Sequence, residues 1–316
     1  MTAPPIVTLT LNTALDVTAD ADDVVATQKI RCRAERYDAG GGGVNVARFA
    51  HALGMPISAV FTAGGATGSQ VTDLITAEGV AAVPVAIRGA TRESFTVNEL
   101  ASGKQYRFIF PGPTLTSGEQ QQCLAALRRA AVSAQFVVAS GSLPPGAPPD
   151  FYQRVADMCS QTQAALILDT SGGGLKYVTS GVYLLKPSLR ELRECVGRAL
   201  LTQDEQVCAA GELIDGGLTD VVVVSLGAAG ALLVTREGAE HFPAPSVAAV
   251  SEVGAGDAMV AGITVSLARG QTLRRAVGYG IAAATAKLRT PGTATFLRDD
   301  VDHRFGEYLS CVDQVR

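Results

Sequence analysis

Short apolar or β-branched runs alternate along this chain with segments of helical spacing. That alternation restricts the fold more than any other feature. Ile6–Leu11, Ile57–Phe61, Phe136–Ala139, Ala165–Asp169, Val182–Leu185 and Val221–Ser225 read as strands. Most are apolar at consecutive positions, as expected where both faces of a parallel sheet are covered by helices. Between them, Val46, Phe49, Ala50 and Leu53 recur at helical spacing, and Gly68–Glu78 and Phe151–Ser160 read as further helices. Thr116 and Glu119 form a capping box ahead of a helix through Leu127. The expectation is an α/β sandwich of three layers around a mostly parallel central sheet.

Two stretches break the alternation. Gln28–Tyr37 carries charge at every second position, Arg31, Arg33 and Glu35. Glu93–Leu100 and Gln105–Phe110, joined by Ser102-Gly103, have the pattern of a hairpin. They predict a small second sheet whose strands are inserted at about 28–37 and 91–110 into a single domain spanning 1–316. No internal repeat is visible.

A net charge of −4 gives no global attraction to nucleic acid or to an anionic membrane. The six cysteines, Cys32, Cys123, Cys159, Cys195, Cys208 and Cys311, contain no CxxC pair, and with only three histidines this argues against a structural zinc site. Each cysteine is expected as a small core residue. The first residues lack the basic start and apolar stretch of a signal peptide, and no apolar run is long enough to cross a bilayer. A cytoplasmic protein with reduced thiols is the expectation.

The segment richest in chemistry is Val253-Gly254-Ala255-Gly256-Asp257, which leads into an apolar helix through Leu267. Amides at a helix start have no intrahelical acceptor, and the helix dipole adds positive potential there. Glycines let an anion come close, so the segment suits a transferring phosphoryl group. Asp257 sits where its carboxylate can take a hydroxyl proton; a purely structural role would be to complement the helix dipole. The spacing is not GxGxxG, and no GxxxxGK[ST] occurs, so neither a dinucleotide fingerprint nor a P-loop is present. Gly40-Gly41-Gly42-Gly43 precedes a second helix, with Asn45 able both to donate and to accept toward a sugar hydroxyl. Asp16 follows the first strand, at the edge where α/β folds bind ligands.

With these segments placed, the chain resembles the ribokinase/phosphofructokinase B family of carbohydrate kinases. The GAGD and GGGGVNVAR segments match its two signatures. AGGATG (63–68), QYRF (105–108), SGSLPPG (140–146), Leu185-Lys186-Pro187 and Val224-Ser225-Leu226-Gly227 follow in order. The quadruple glycine before VNVAR is most similar to the minor bacterial phosphofructokinase branch. The resemblance implies a ribokinase-like fold with a β-sheet lid that usually also forms a dimer interface, and phosphoryl transfer from ATP with Mg²⁺. It implies Asp257 as base and the amides of Gly254, Ala255 and Gly256 as phosphoryl cradle. Asp16, Gly41, Gly42 and Asn45 would bind the sugar. Arg92, Arg107 and Ser142 would bind the phosphate it carries, and Lys29 would reach a partner's site. Lys186, Ser188, Ser225, Gly227, Gly230 and Val253 would surround ATP, with Glu191 turned to the metal through water. Some members also hold a monovalent cation, such as K⁺, on backbone carbonyls near the signature.

The sequence departs from the family pattern twice: Ser188 stands where Asn is usual, and Glu252 where Thr is usual. Two arginines near the sugar site favour an acceptor that already bears phosphate, because guanidinium matches phosphate bidentately. The expected reaction is phosphorylation of fructose 6-phosphate. Tagatose 6-phosphate and fructose 1-phosphate are the alternative acceptors, and a weakly catalytic sugar-phosphate or nucleotide sensor is the alternative of another class.

Overall fold

In a computed structural model, which describes residues 5–171 and 174–314, the chain builds two sheets. It opens with β1 (Ile6–Thr10), then crosses into the smaller sheet as β2 (Ala14–Ala21) and β3 (Arg33–Gly40). It returns through α1 (Gly42–Ala52), β4 (Ile57–Ala63), α2 (Gly65–Ala77) and β5 (Ala81–Ala86). A hairpin of β6 (Arg92–Glu99) and β7 (Gln105–Ile109) completes the smaller sheet. The large sheet continues through α3 (Ser117–Ala131), β8 (Phe136–Ser140), α4 (Phe151–Thr162), β9 (Ala165–Asp169), β10 (Val182–Leu185), α5 (Leu189–Val196), α6 (Gln203–Asp215) and β11 (Thr219–Ser225). It ends on β12 (Ala231–Thr235) and β13 (Gly238–Phe242), and α7 (Ala255–Ala268), α8 (Leu273–Leu288) and α9 (Arg298–Gln314) follow.

The strand order is β13-β12-β11-β10-β9-β8-β1-β4-β5, parallel except for β12 and β13 at one edge. The other sheet has the order β3-β2-β6-β7. The apolar strands divide their side chains between two cores. On β8, Val138 joins the layer with α1, α7 and α8, while Val137 and Ala139 face α3 and α4. This split explains why those runs are apolar at consecutive positions.

Three expectations need correction. Residues 28–32 are not strand; β3 starts at Arg33 and runs to Gly40, interrupted by the positive φ of Ala34 (55°). The smaller sheet also contains β2, which lies between β3 and β6 and takes Asp16 with it. Asp16 is therefore inside a strand of the smaller sheet, not at the carboxyl end of β1. Alanine and aspartate are poor strand formers, so β2 exists because partners pair with it on both sides. Finally, Cys123 and Cys159 are core residues, but Cys32 and Cys208 are exposed and Cys195 is half-buried; the side chain of Cys311 lies outside those described. Among the described residues no helix is long and apolar enough to cross a membrane.

What positions the functional edge is the close packing of α7 on α8. A Cβ on Gly262 would lie 2.8 Å from the Gly280 Cα and 2.9 Å from the Tyr279 carbonyl oxygen. Backbone meets backbone here, so neither helix can yield by a rotamer change. Gly262→Val should lower the unfolding free energy by about 1–3 kcal/mol, the usual cost of overpacking. Urea titration would check this, and a midpoint equal to that of the unmodified protein would show that the two helices are free to separate.

Candidate active site

Helix α7 begins at Gly254, whose φ of 79° lets the chain turn sharply into the first turn with no side-chain cap. The Ala255 amide folds back onto the Glu252 carbonyl at 3.3 Å. Those of Gly254, Gly256 and Asp257 have no acceptor among the described residues. The open cradle is thus slightly different from the expected Gly254–Gly256 run. The Asp257 carboxylate accepts a hydrogen bond of 2.9 Å from the Asn45 side chain, which α1 delivers from the other glycine-rich segment. Burial pushes the Asp257 carboxyl up to about 7, with the nearby Asp169 charge adding to the rise and Asn45 and Lys186 opposing it.

Lys186, just beyond β10, reaches the same turn: a Cβ on Gly256 would lie 3.7 Å from its Nζ. It pairs with Asp169 at 3.2 Å. Burial alone would disfavour its charge, but Asp169, Glu191 and Asp257 hold it as a cation. Ser188 and Glu191 close a reciprocal capping box at the start of α5, where one Glu191 oxygen accepts from both the Ser188 amide and its hydroxyl at 2.8 Å. Ser188 also bridges to Ser225, whose amide donates to the Pro187 carbonyl at 2.9 Å. Beyond Ser225 the chain makes a 3-10 turn over Gly227–Ala229. Gly230 (φ 98°) is required there because a side chain would strike the Phe242 carbonyl. Val253 donates its amide to the Ser251 hydroxyl.

On the opposite side of Asp257, the smaller sheet supplies Asp16. The Asp16 carboxylate occupies the space a side chain at residue 40 would fill, so Gly40 is needed for its approach. Burial raises its carboxyl to about 6 against the pull of Arg92 and Arg107. Arg92 donates to the carbonyls of Phe110 and Asn12, while its Nε has no partner. Asn12 donates to the Ser142 hydroxyl at 3.1 Å and keeps an unpartnered buried oxygen. Asn12, Arg92, Phe110, Ser142 and Tyr177 line a cavity of about 620 Å³. Gly41 (φ 104°) and Gly42 pack against Thr10 and Ser140, so they bring the chain close to β1 and β8.

Of the expected residues, Asn45, Lys186 and Asp257 meet at the start of α7, with the Asp16 charge felt there, and Arg92 and Ser142 line the cavity beside Asn12, while two others stand apart. Arg107 is exposed on β7, although its charge is felt at Asp16. Lys29 is exposed in the loop before β3 and forms no hydrogen bond or ion pair among the described residues. Sequence reasoning overlooked Asp169 and Asn12. The rule applied to Asp16, a carboxylate at a strand's carboxyl end, belonged to Asp169 at the end of β9.

The model of the pfkB family of carbohydrate kinases matches residues 9–300. The chain belongs to this family. As a pfkB kinase it is 59% identical, over 96% of its length and 89% of the relative's, to the ATP-dependent 6-phosphofructokinase isozyme 2 of Mycobacterium tuberculosis. It is 30% identical to the 1-phosphofructokinase of Bacillus subtilis, over 93% of this chain and 96% of that one. The crystal structure of Escherichia coli phosphofructokinase-2 in complex with potassium superposes with a TM-score of 0.90 at 35% identity, covering 97% of this chain and 99% of the other. The ribokinase-like fold is therefore the fold of this kinase.

A carboxyl raised from 3.8 to about 7 on folding favours the folded state when protonated. Its contribution is full below the unfolded value and is lost as pH rises through the folded one. Asp257→Asn should accordingly unfold at a higher urea concentration than the unmodified kinase at a pH of about 8, and the gap should narrow on acidification toward about 4. A gap that is absent at the higher pH, or that widens on acidification, would rule out a buried, proton-preferring carboxyl.

Proposed function

We propose that this kinase transfers the γ-phosphoryl group of ATP to the primary hydroxyl of fructose 6-phosphate, giving fructose 1,6-bisphosphate. The observation that carries the reading is the Asp257 carboxyl at the open start of α7, fixed by Asn45 and flanked by Lys186. The 59% identity to a 6-phosphofructokinase, against 30% to a 1-phosphofructokinase, favours fructose 6-phosphate over the alternative acceptors. A sensor without turnover is disfavoured because the base, the open amides and the buried lysine are all retained. The capping box shows that serine in place of asparagine at 188 preserves the helix start.

In this reading Asp257 takes the proton as the hydroxyl oxygen attacks phosphorus. A carboxyl at about 7 is matched to proton transfer near neutral pH. The free amides at the start of α7 and the Lys186 ammonium stabilise charge on the transferring group, where preorganised donors do most. Asp16, Asn45, Gly41 and Gly42 orient the sugar. Arg92, Arg107 and Ser142 take its 6-phosphate. ATP lies along Lys186, Ser188, Ser225, Gly227, Gly230 and Val253. Magnesium bound with ATP would supply neutralisation of phosphate charge. Glu191, with one oxygen at the cap and the other 3.5 Å from the Arg190 guanidinium, and Asp169, paired with Lys186, are the carboxylates that would face the ion, in part through water. The five described cysteines are free thiols, as suits the reducing cytoplasm.

The smaller sheet acts as a lid over the sugar. Ile30, Tyr37, Phe108 and Ile109 on and beside it are exposed large apolar residues. An exposed apolar surface of this kind favours a homodimer formed lid to lid, with Lys29 contributing across it.

A coupled assay with ATP and a panel of the three sugar phosphates tests the assignment. Fructose 6-phosphate should give the highest kcat/KM, and a clear preference for fructose 1-phosphate would refute it. Asp257→Asn should lower kcat by roughly a hundredfold to ten-thousandfold while leaving substrate binding nearly intact. Arg92→Ala should raise KM for the sugar phosphate far more than for ATP, as loss of a charged hydrogen bond costs about 1.5–3 kcal/mol. Sedimentation should show a dimer at assay concentration; a fully active monomer would exclude the lid interface.

A further inference from the structure

Lys287, in the last turn of α8, is fully buried, yet it forms no ion pair among the described residues. Its ammonium is bound by oxygens instead. It donates at 2.8 Å to the Thr290 hydroxyl and at 2.8 Å to the Gly292 carbonyl, and more weakly to the Thr290 carbonyl at 3.4 Å. A buried ammonium with no carboxylate in contact is costly, so a site that keeps one has a use for its charge.

The location of that charge points to the use. The Lys287 Cε lies 3.5 Å from where a Cβ on Gly254 would be, directly behind the turn that opens α7. The segment entering that turn is tied to the same helix end, because the amides of Val250 and Ser251 both donate to the Leu288 carbonyl, at 2.7 and 3.2 Å. The loop holding the ammonium also touches the lid root: a Cβ on Gly292 would lie 2.8 Å from the Thr18 hydroxyl oxygen and 3.8 Å from Asp38. The charged groups facing Lys287 are Asp38 and Asp257, which favour its charge, and Arg36 and Arg48, which oppose it.

We propose that Lys287 is a positioning residue that serves as a tethered cation behind the phosphoryl cradle. It holds the 250–256 turn in place and adds positive potential beneath the open amides of α7. Because its ammonium occupies the oxygens of Thr290 and Gly292, this kinase works without a monovalent metal ion at that place. Burial lowers the ammonium only to about 8, so it is charged at neutral pH. The proposal rests on the phosphotransfer reading of the α7 cradle.

The test compares the unmodified kinase with Lys287→Met in potassium, ammonium and tetramethylammonium chlorides at equal ionic strength. The unmodified kinase should turn over at the same rate in all three. Lys287→Met should lose roughly tenfold or more of kcat in tetramethylammonium, as loss of a charge stabilising the transition state does. Potassium or ammonium should restore much of that loss, with little change in KM for ATP. A purely structural lysine would give a loss that neither cation repairs. Thermal unfolding provides a readout independent of turnover. Potassium should raise the midpoint of Lys287→Met and leave the unmodified protein unmoved, even if the acceptor sugar were misassigned. Potassium activation of the unmodified kinase, or a specific rise in its melting midpoint with potassium, would overturn the proposal. That arm needs no variant, so a Lys287→Met chain that fails to fold leaves it decisive.

Discussion

The site depends on how closely backbone can approach backbone beneath it. Gly262 and Gly280 bring α7 and α8 together, and Gly43 lets α1 sit against the Leu9 carbonyl of β1. Only with these contacts do the starts of α1 and α7 open at the same edge of the sheet. The hydrogen bond between Asn45 and Asp257 then spans 212 positions of chain. Any added side-chain volume at these glycines would tilt a helix and misplace a functional group at its end.

Charge is concentrated where the helices open. Asp16, Asp169, Glu191 and Asp257 surround a sparse set of cations, Lys186 and Arg92 foremost. Burial makes the charged forms of Asp16, Asp169 and Asp257 costly. They persist because two buried lysines, open amides and amide side chains compensate part of the cost. Such an arrangement gives up stability to keep a carboxyl near 7, which is the usual tension between a stable core and a working site.

The lid is anchored by a further buried cation. Arg48, only 1% exposed, donates to the carbonyls of Ala39 and Thr293 and pairs with Glu78 at 2.6 Å and Asp38 at 3.5 Å. It joins the root of β3, α2 and the loop after α8. The lid root is thus held rigidly beside the Lys287 loop, whereas β7 and the segment before β3 project into solvent. The base of the smaller sheet is thus the rigid part and its outer strands the exposed part.

Much of this was written locally in the sequence. Consecutive apolar residues determined the doubly covered sheet, and the glycine-rich helix starts marked both halves of the site, because backbone freedom and helix-end amides are properties of a few adjacent residues. The capping boxes at Thr116 and Ser188 are local in the same way, each a hydroxyl residue followed three positions later by glutamate. The tertiary structure alone decided that Ala14–Ala21 is a strand, that Asp169 stands beside Lys186, and that Lys287 lies behind Gly254. Alanine and aspartate carry no strand signal, and a lysine in the last turn of a helix reads as a solvated end. Their roles come from burial and from neighbours far away in the chain, and local pattern does not record either.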